Sequence, residues 1–104
     1  MAERERVRSL TETEYVIVKM LAHDSDRGRY GLELVKMSEG RLKRGTIYVL
    51  LGRLQDKGFV ASRTVREGAA IPRRLYRLTG LGQQVHEAWR RLEKLGRSQK
   101  KAFA

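Results

Sequence analysis

Two stretches of the sequence concentrate the side chains able to do chemistry, and that chemistry is the holding of anions. Between Arg41 and Lys57 stand five bases, Arg41, Lys43, Arg44, Arg53 and Lys57, against one acid, Asp56. Between Arg63 and Arg77 stand Arg63, Arg66, Arg73, Arg74 and Arg77, against Glu67. Guanidinium and ammonium groups clustered in this way neutralise phosphates and hydrogen-bond to them. Each segment carries a net charge of +4, against +11 for the whole chain. A merely solvated basic surface would not gather its charge in two segments, so the pattern favours contact with a polyanion.

Other chemistry finds little support. The chain has no Cys, which excludes disulfides, Cys-ligated zinc, thiol nucleophiles and iron–sulfur clusters. His23, Asp24 and Asp26 imitate metal ligands, but they share one polar loop and lack a fourth partner. His86 reads as a surface or interface residue. Ser25, Ser38 and Ser62 have no base near them in sequence. Gly80-Leu81-Gly82 is too short for a nucleotide-binding signature. Neither an enzyme nor a metal or cofactor protein is expected.

The 104 residues fit one domain with a small core, and 40% hydrophobic content is too high for a disordered polyelectrolyte. The longest apolar runs, Tyr15–Val18 and Ile47–Leu51, are too short to cross a bilayer. Met1–Arg6 lacks the apolar stretch of a secretory signal. A soluble, cytoplasmic domain with a polyanionic partner is expected, and no membrane contact.

The elements that would position the bases follow from spacing. Thr11 and Glu14 have capping-box spacing, opening a helix over about 12–22 with Ile17, Val18 and Leu21 on one face. Val16 and Met20 form a second apolar face. A polar loop over 23–29 precedes a second helix over about 30–38, with Leu32, Val35 and Met37 directed inward and Gly40 as its cap. A third helix over about 44–57 buries Ile47, Leu50, Leu51 and Leu54, and Gly58 ends it. Its opposite face holds Gly45, Val49, Gly52 and Asp56. The period then changes to that of strands, over 59–66 and 73–78, joined by a turn at 67–72. Thr79 caps a last helix, over about 80–96, with Leu81, Val85, Ala88, Leu92 and Leu95 spaced as a heptad seam.

Three helices and a hairpin in this order make a winged helix-turn-helix, and the two basic segments are the elements such a fold lays on DNA. The expected fold is mainly α with a β-hairpin wing. It divides into a flexible arm at 1–9, the DNA-binding domain at 10–79, a dimerisation helix at 80–96 and a basic tail at 97–104. Lys43, Arg44, Thr46, Tyr48 and Arg53 are the expected contacts of the third helix with the major groove. Arg63, Arg66, Arg73 and Arg74 are those of the wing. The seam, with Val16 and Met20 on the first helix, calls for a second copy of the chain, and Trp89 lies beside it.

Three stretches carry a resemblance. Tyr30-Gly31-Leu32-Glu33-Leu34, the run from Gly45-Thr46-Ile47-Tyr48 through Arg53-Leu54 to Gly58-Phe59-Val60, and Pro72-Arg73-Arg74-Leu75-Tyr76-Arg77-Leu78-Thr79-Gly80-Leu81-Gly82 resemble the PadR family of transcriptional regulators. The likeness runs from about Leu10 to Leu95. It implies a homodimeric winged-helix protein, most often a repressor, that reads double-stranded DNA and dimerises through its first and last helices. Val49 stands where the family often has Pro, and Gly68-Ala69 where it often has paired glycines. Some members take flat aromatic ligands on a Trp of the last helix. Trp89 lies about one turn earlier than that role requires, so packing is favoured for it and a small aromatic effector is the alternative. Two other functions fit the same residues: an architectural or partition protein without sequence preference, and a winged-helix adaptor that binds protein.

Overall fold

A computed structural model describes residues 10–23, 27–68 and 70–103, with side chains as far as residue 96. The arm at 1–9, Asp24, Ser25 and Asp26 of the loop, and Ala69 at the wing tip lie outside the described residues.

Helix α1, Glu12–His23, opens on the anticipated capping box. The Thr11 N–H donates to Glu14 Oε1 at 3.1 Å, and the Glu14 N–H donates to Thr11 Oγ1 at 3.1 Å. Strand β1 is only Arg29–Tyr30, and helix α2 follows at once as Gly31–Met37. Helix α3 spans Ile47–Asp56. Strands β2, Val60–Val65, and β3, Arg73–Leu78, form the hairpin, and helix α4 runs Gly80–Phe103. The fold is mainly helical with a small antiparallel sheet in the order β1-β3-β2. Tyr30 pairs with Leu75, and Ser62 with Tyr76.

One core joins the four helices to strands β2 and β3. Ile17, Val18 and Leu21 of α1 meet Leu34 of α2, and Ile47, Leu51 and Leu54 of α3. Phe59, Val60, Tyr76 and Leu78 close it from the sheet. Gly58, at φ 84°, takes the left-handed conformation that turns α3 into β2.

Several expectations are corrected. Strand β1 was not anticipated, because two residues are too few to show alternation. The inward face of α2 is also rotated. Leu34 is fully buried, whereas Leu32 and Met37 are 41% and 39% exposed. Glu33 Oε1 accepts from the Tyr30 N–H at 3.0 Å, which starts the helix at Gly31. Gly31, Leu34 and Ser38 then face the core at helical spacing. The buried Ser38 hydroxyl is satisfied, donating to the Val35 carbonyl at 2.7 Å and accepting from the Leu42 N–H at 2.9 Å. Helix α3 starts three residues later than the spacing suggests, since residues 44–46 form a turn closed by Thr46 N–H to Lys43 O at 3.1 Å. Helix α4 continues through Gly96 into the segment read as a tail. One glycine costs about 1 kcal/mol relative to Ala, and the strong helix formers around it offset that.

The heptad seam does not act as one surface. Val85, expected between two copies, is 1% exposed within a single chain and belongs to its own core. Leu81 and Trp89 pack partly against that core, while Leu92 and Leu95 are 55% and 60% exposed. The start of α4 is held down against the sheet. The Thr79 hydroxyl donates to the Gly58 carbonyl at 2.6 Å and accepts from the Gly82 N–H at 3.0 Å. Gly82 lies so close to the Phe59 carbonyl that a Cβ there would overlap it.

Candidate nucleic-acid interface

The bases of the turn before α3 and of α3 itself reach the surface. Lys43, Arg44 and Thr46 are all exposed, on the turn that leads into α3. Arg53 is exposed further along the helix, and Tyr48 is 52% exposed. The Tyr48 ring lies across Gly31, where a Cβ would come within 2.7 Å of Tyr48 Cε1. Gly31 therefore fixes how α2 and α3 cross, and the crossing leaves Tyr48 outside the core. Lys57 takes a different role from the other bases of its segment. Its ammonium contacts Glu14 at 2.8 and 3.0 Å, tying the end of α3 to the start of α1. Burial pushes the Glu14 carboxyl up, but Lys57 and the Thr11 groups outweigh it and hold the pKa below the ordinary value.

The wing arginines divide between the two faces of the hairpin. Arg74 projects toward α3, with Nη1 donating to Ser62 Oγ at 3.4 Å, and Ser62 Oγ in turn donates to Gln55 Oε1 of α3 at 3.3 Å. Arg73 projects to the other face, where its guanidinium lies 3.7 Å from the centroid of the Tyr30 ring. A cation held over an aromatic face at that distance is attracted by the ring quadrupole. Tyr48, Arg73 and Arg74 nevertheless border one cleft of about 510 Å³, with Gly52, Gln55 and Tyr30. Arg63 lines a separate depression with Arg27 and Arg77. Arg66 is exposed at the edge of the wing turn.

Sequence reasoning missed Tyr30, Ser62 and Gln55 as the residues that orient the wing arginines. Tyr30 carried no signal, since its role depends on the unforeseen pairing of β1 with β3. Ser62 and Gln55 could have been suspected only once the hairpin register was known. The cleft presents cations and hydrogen-bond donors over a shallow, partly apolar floor, which suits a sugar–phosphate backbone. Among the described residues no group of His, Asp and Glu is placed to hold a metal ion. No described helix is long and apolar enough to cross a membrane.

The residues expected at an interface between copies lie on α1 and α4. Val16, Met20, Leu81, Ala88 and Trp89 are half-buried, and Leu92 and Leu95 are exposed. Tyr15 stacks on Trp89 with ring centroids 4.6 Å apart and planes inclined by 20°. Tyr15 thereby covers one face of the indole.

The family model for the transcriptional regulator PadR-like family matches residues 20–88. Among solved structures, a PadR family transcription regulator from Clostridium difficile R20291 is 25% identical, with a TM-score of 0.76, covering 89% of this chain and 98% of that one. A PadR-like transcription factor from Bacteroides fragilis is 26% identical, with a TM-score of 0.73, covering 88% of each chain. Bacillus subtilis PadR, solved in complex with operator DNA, is 26% identical, with a TM-score of 0.65, covering 73% of this chain and 44% of that one. No curated protein sequence matches the chain.

Proposed function

Since the chain belongs to the PadR-like family of transcriptional regulators, and is with it a non-enzymatic DNA-binding regulator, we propose that it is a cytoplasmic repressor that binds an inverted-repeat operator as a homodimer. The observation that carries the reading is the meeting of Tyr48, Arg73 and Arg74 at one cleft beside the exposed face of α3. An α-helix fits the major groove, and a wing beside it reaches the flanking backbone. Lys43, Arg44 and Thr46 meet phosphates at the entry to α3. Tyr48 and Arg53 reach base edges. Arg66, Arg73 and Arg74 hold the backbone alongside, and Arg63 touches it only where the duplex bends around the wing.

Dimerisation follows from the two exposed leucines of α4. Leu92 and Leu95 are exposed on α4, although Glu93 between them turns to α1 and pairs with Lys19 at 3.8 Å. A second copy would bury them, together with the outer surfaces of Val16, Met20, Leu81 and Ala88. The Tyr15 stack supports packing as the role of Trp89, ahead of a site for an aromatic effector.

Selection of bound fragments from random duplex DNA, followed by footprinting, tests the reading. A repressor of this kind enriches an inverted repeat with half-sites about 10 bp or a multiple apart and protects a discrete stretch. Continuous protection without an enriched sequence would indicate an architectural protein. No affinity at physiological salt would indicate an adaptor.

A further inference from the structure

Helix α3 carries an exposed apolar side chain that the fold does not require. Ile47, Leu51 and Leu54 are fully buried. At 3.6 residues per turn, Val49, Gly52 and Asp56 make the face opposite them, continued by Gly45 on the turn before. Val49 is 56% exposed and lies outside the core cluster. A β-branched residue at an exposed helix position is a poorer helix former than Ala, Leu or Lys, so local structure does not ask for it either. A Cβ added at Gly45 or at Gly52 would meet nothing within 4 Å. The isopropyl group of Val49 thus stands up beside two positions without a side chain, Gly45 and Gly52, while Thr46 and Arg53 border it on its other side. On the Gly45 and Gly52 side no side chain keeps a groove floor away from it.

The apolar feature that a base pair presents in the major groove is the C5-methyl group of thymine. Val49 is the third residue of α3, at the end from which recognition helices reach base edges. We propose that Val49 is a specificity-determining residue that packs on a thymine methyl at one fixed position of each half-site. The inference rests on the reading that α3 enters the major groove. A cytosine methylated at C5 offers the same group, and the test separates the two sources.

The test begins with duplex DNA selected from a random pool by the wild-type chain. Each thymine of the selected site is then replaced by deoxyuridine, which removes only the methyl group. One position per half-site is expected to lose about fourfold in affinity, the worth of one buried methyl. Val49→Ser should bind the thymine and deoxyuridine sites equally well. Loss at no thymine, or equal loss in Val49→Ser, overturns the proposal. If Arg53→Ala still weakens binding in that case, the groove reading stands and only Val49 is removed from it. Failure to enrich any site removes both. A second pool, built with 5-methylcytosine in place of cytosine, identifies the source. Continued choice of thymine at the Val49 position supports the assignment, and replacement of thymine there by 5-methylcytosine overturns thymine as the base read.

Discussion

At the scale of single residues, Glu14 joins two elements with one carboxylate. It caps α1 through Thr11 and pairs with Lys57 at the end of α3 while being 1% exposed. Because its pKa is lowered by folding, the stabilisation is complete above the ordinary value of 4.5 and is lost as pH falls through the folded value. Glu14→Gln keeps the cap acceptor and removes the charge. It should cost about 1–2 kcal/mol at pH 7, since charge-assisted hydrogen bonds are worth somewhat more than neutral ones and Lys57 is partly solvated. Urea denaturation at several pH values should show the gap from wild type closing below pH 4.5, and a gap independent of pH would contradict the ion-pair account. The cap was legible, because Thr11 and Glu14 stand at a fixed local spacing. The pairing with Lys57 was not, because it joins residues that only the folded core brings together. Tyr30 teaches the same lesson at the face proposed to bind DNA. Its ring holds Arg73 at 3.7 Å, so Tyr30→Leu should free the arginine, weakening DNA binding a few-fold while leaving sequence preference unchanged. An anisotropy titration showing no loss would mean that Arg73 needs no such support.

At the scale of elements, two glycines of similar appearance in the sequence have opposite meanings. Gly82 touches the Phe59 backbone, and Gly52 opens onto empty space. Gly52→Ala should therefore stabilise α3 by up to about 1 kcal/mol, since Ala is the better helix former. The added methyl would stand on the face proposed to meet the groove, so DNA affinity should fall as the melting temperature rises. A variant gaining both stability and affinity would place the DNA on another face. The existence and order of the helices and the hairpin were legible from period and turn residues. The phase of α2 was not: Leu32 and Leu34 are equally apolar, and Glu33 bonding to the Tyr30 N–H selects between them. On α4 the even heptad hides a division between an inner half, with Val85 in the core, and an outer half, with Leu92 and Leu95 exposed. Periodicity reports that a face is apolar and cannot say which neighbour covers each part. Leu92→Asp should accordingly leave a folded monomer, because the site is exposed within one chain, while preventing association and operator binding. An intact dimer in sedimentation would move the interface elsewhere.

At the scale of the whole molecule, charge and shape combine. The net charge of +11 draws any duplex to the surface. The arrangement of α3 beside the wing is what would convert attraction into recognition. Two copies neutralising ~8–10 phosphates should give a plot of log K against log salt with a slope of roughly −7 to −9. That slope measures attraction alone, and an architectural protein would share it. Recognition is measured by the ratio of affinities, at one near-physiological salt concentration, for the selected inverted repeat and for a scrambled duplex of the same length and composition. A dimeric repressor reading bases through α3 should favour the repeat by about 10³-fold or more. A ratio within tenfold would contradict the account, leaving a protein held to DNA by charge without reading its sequence.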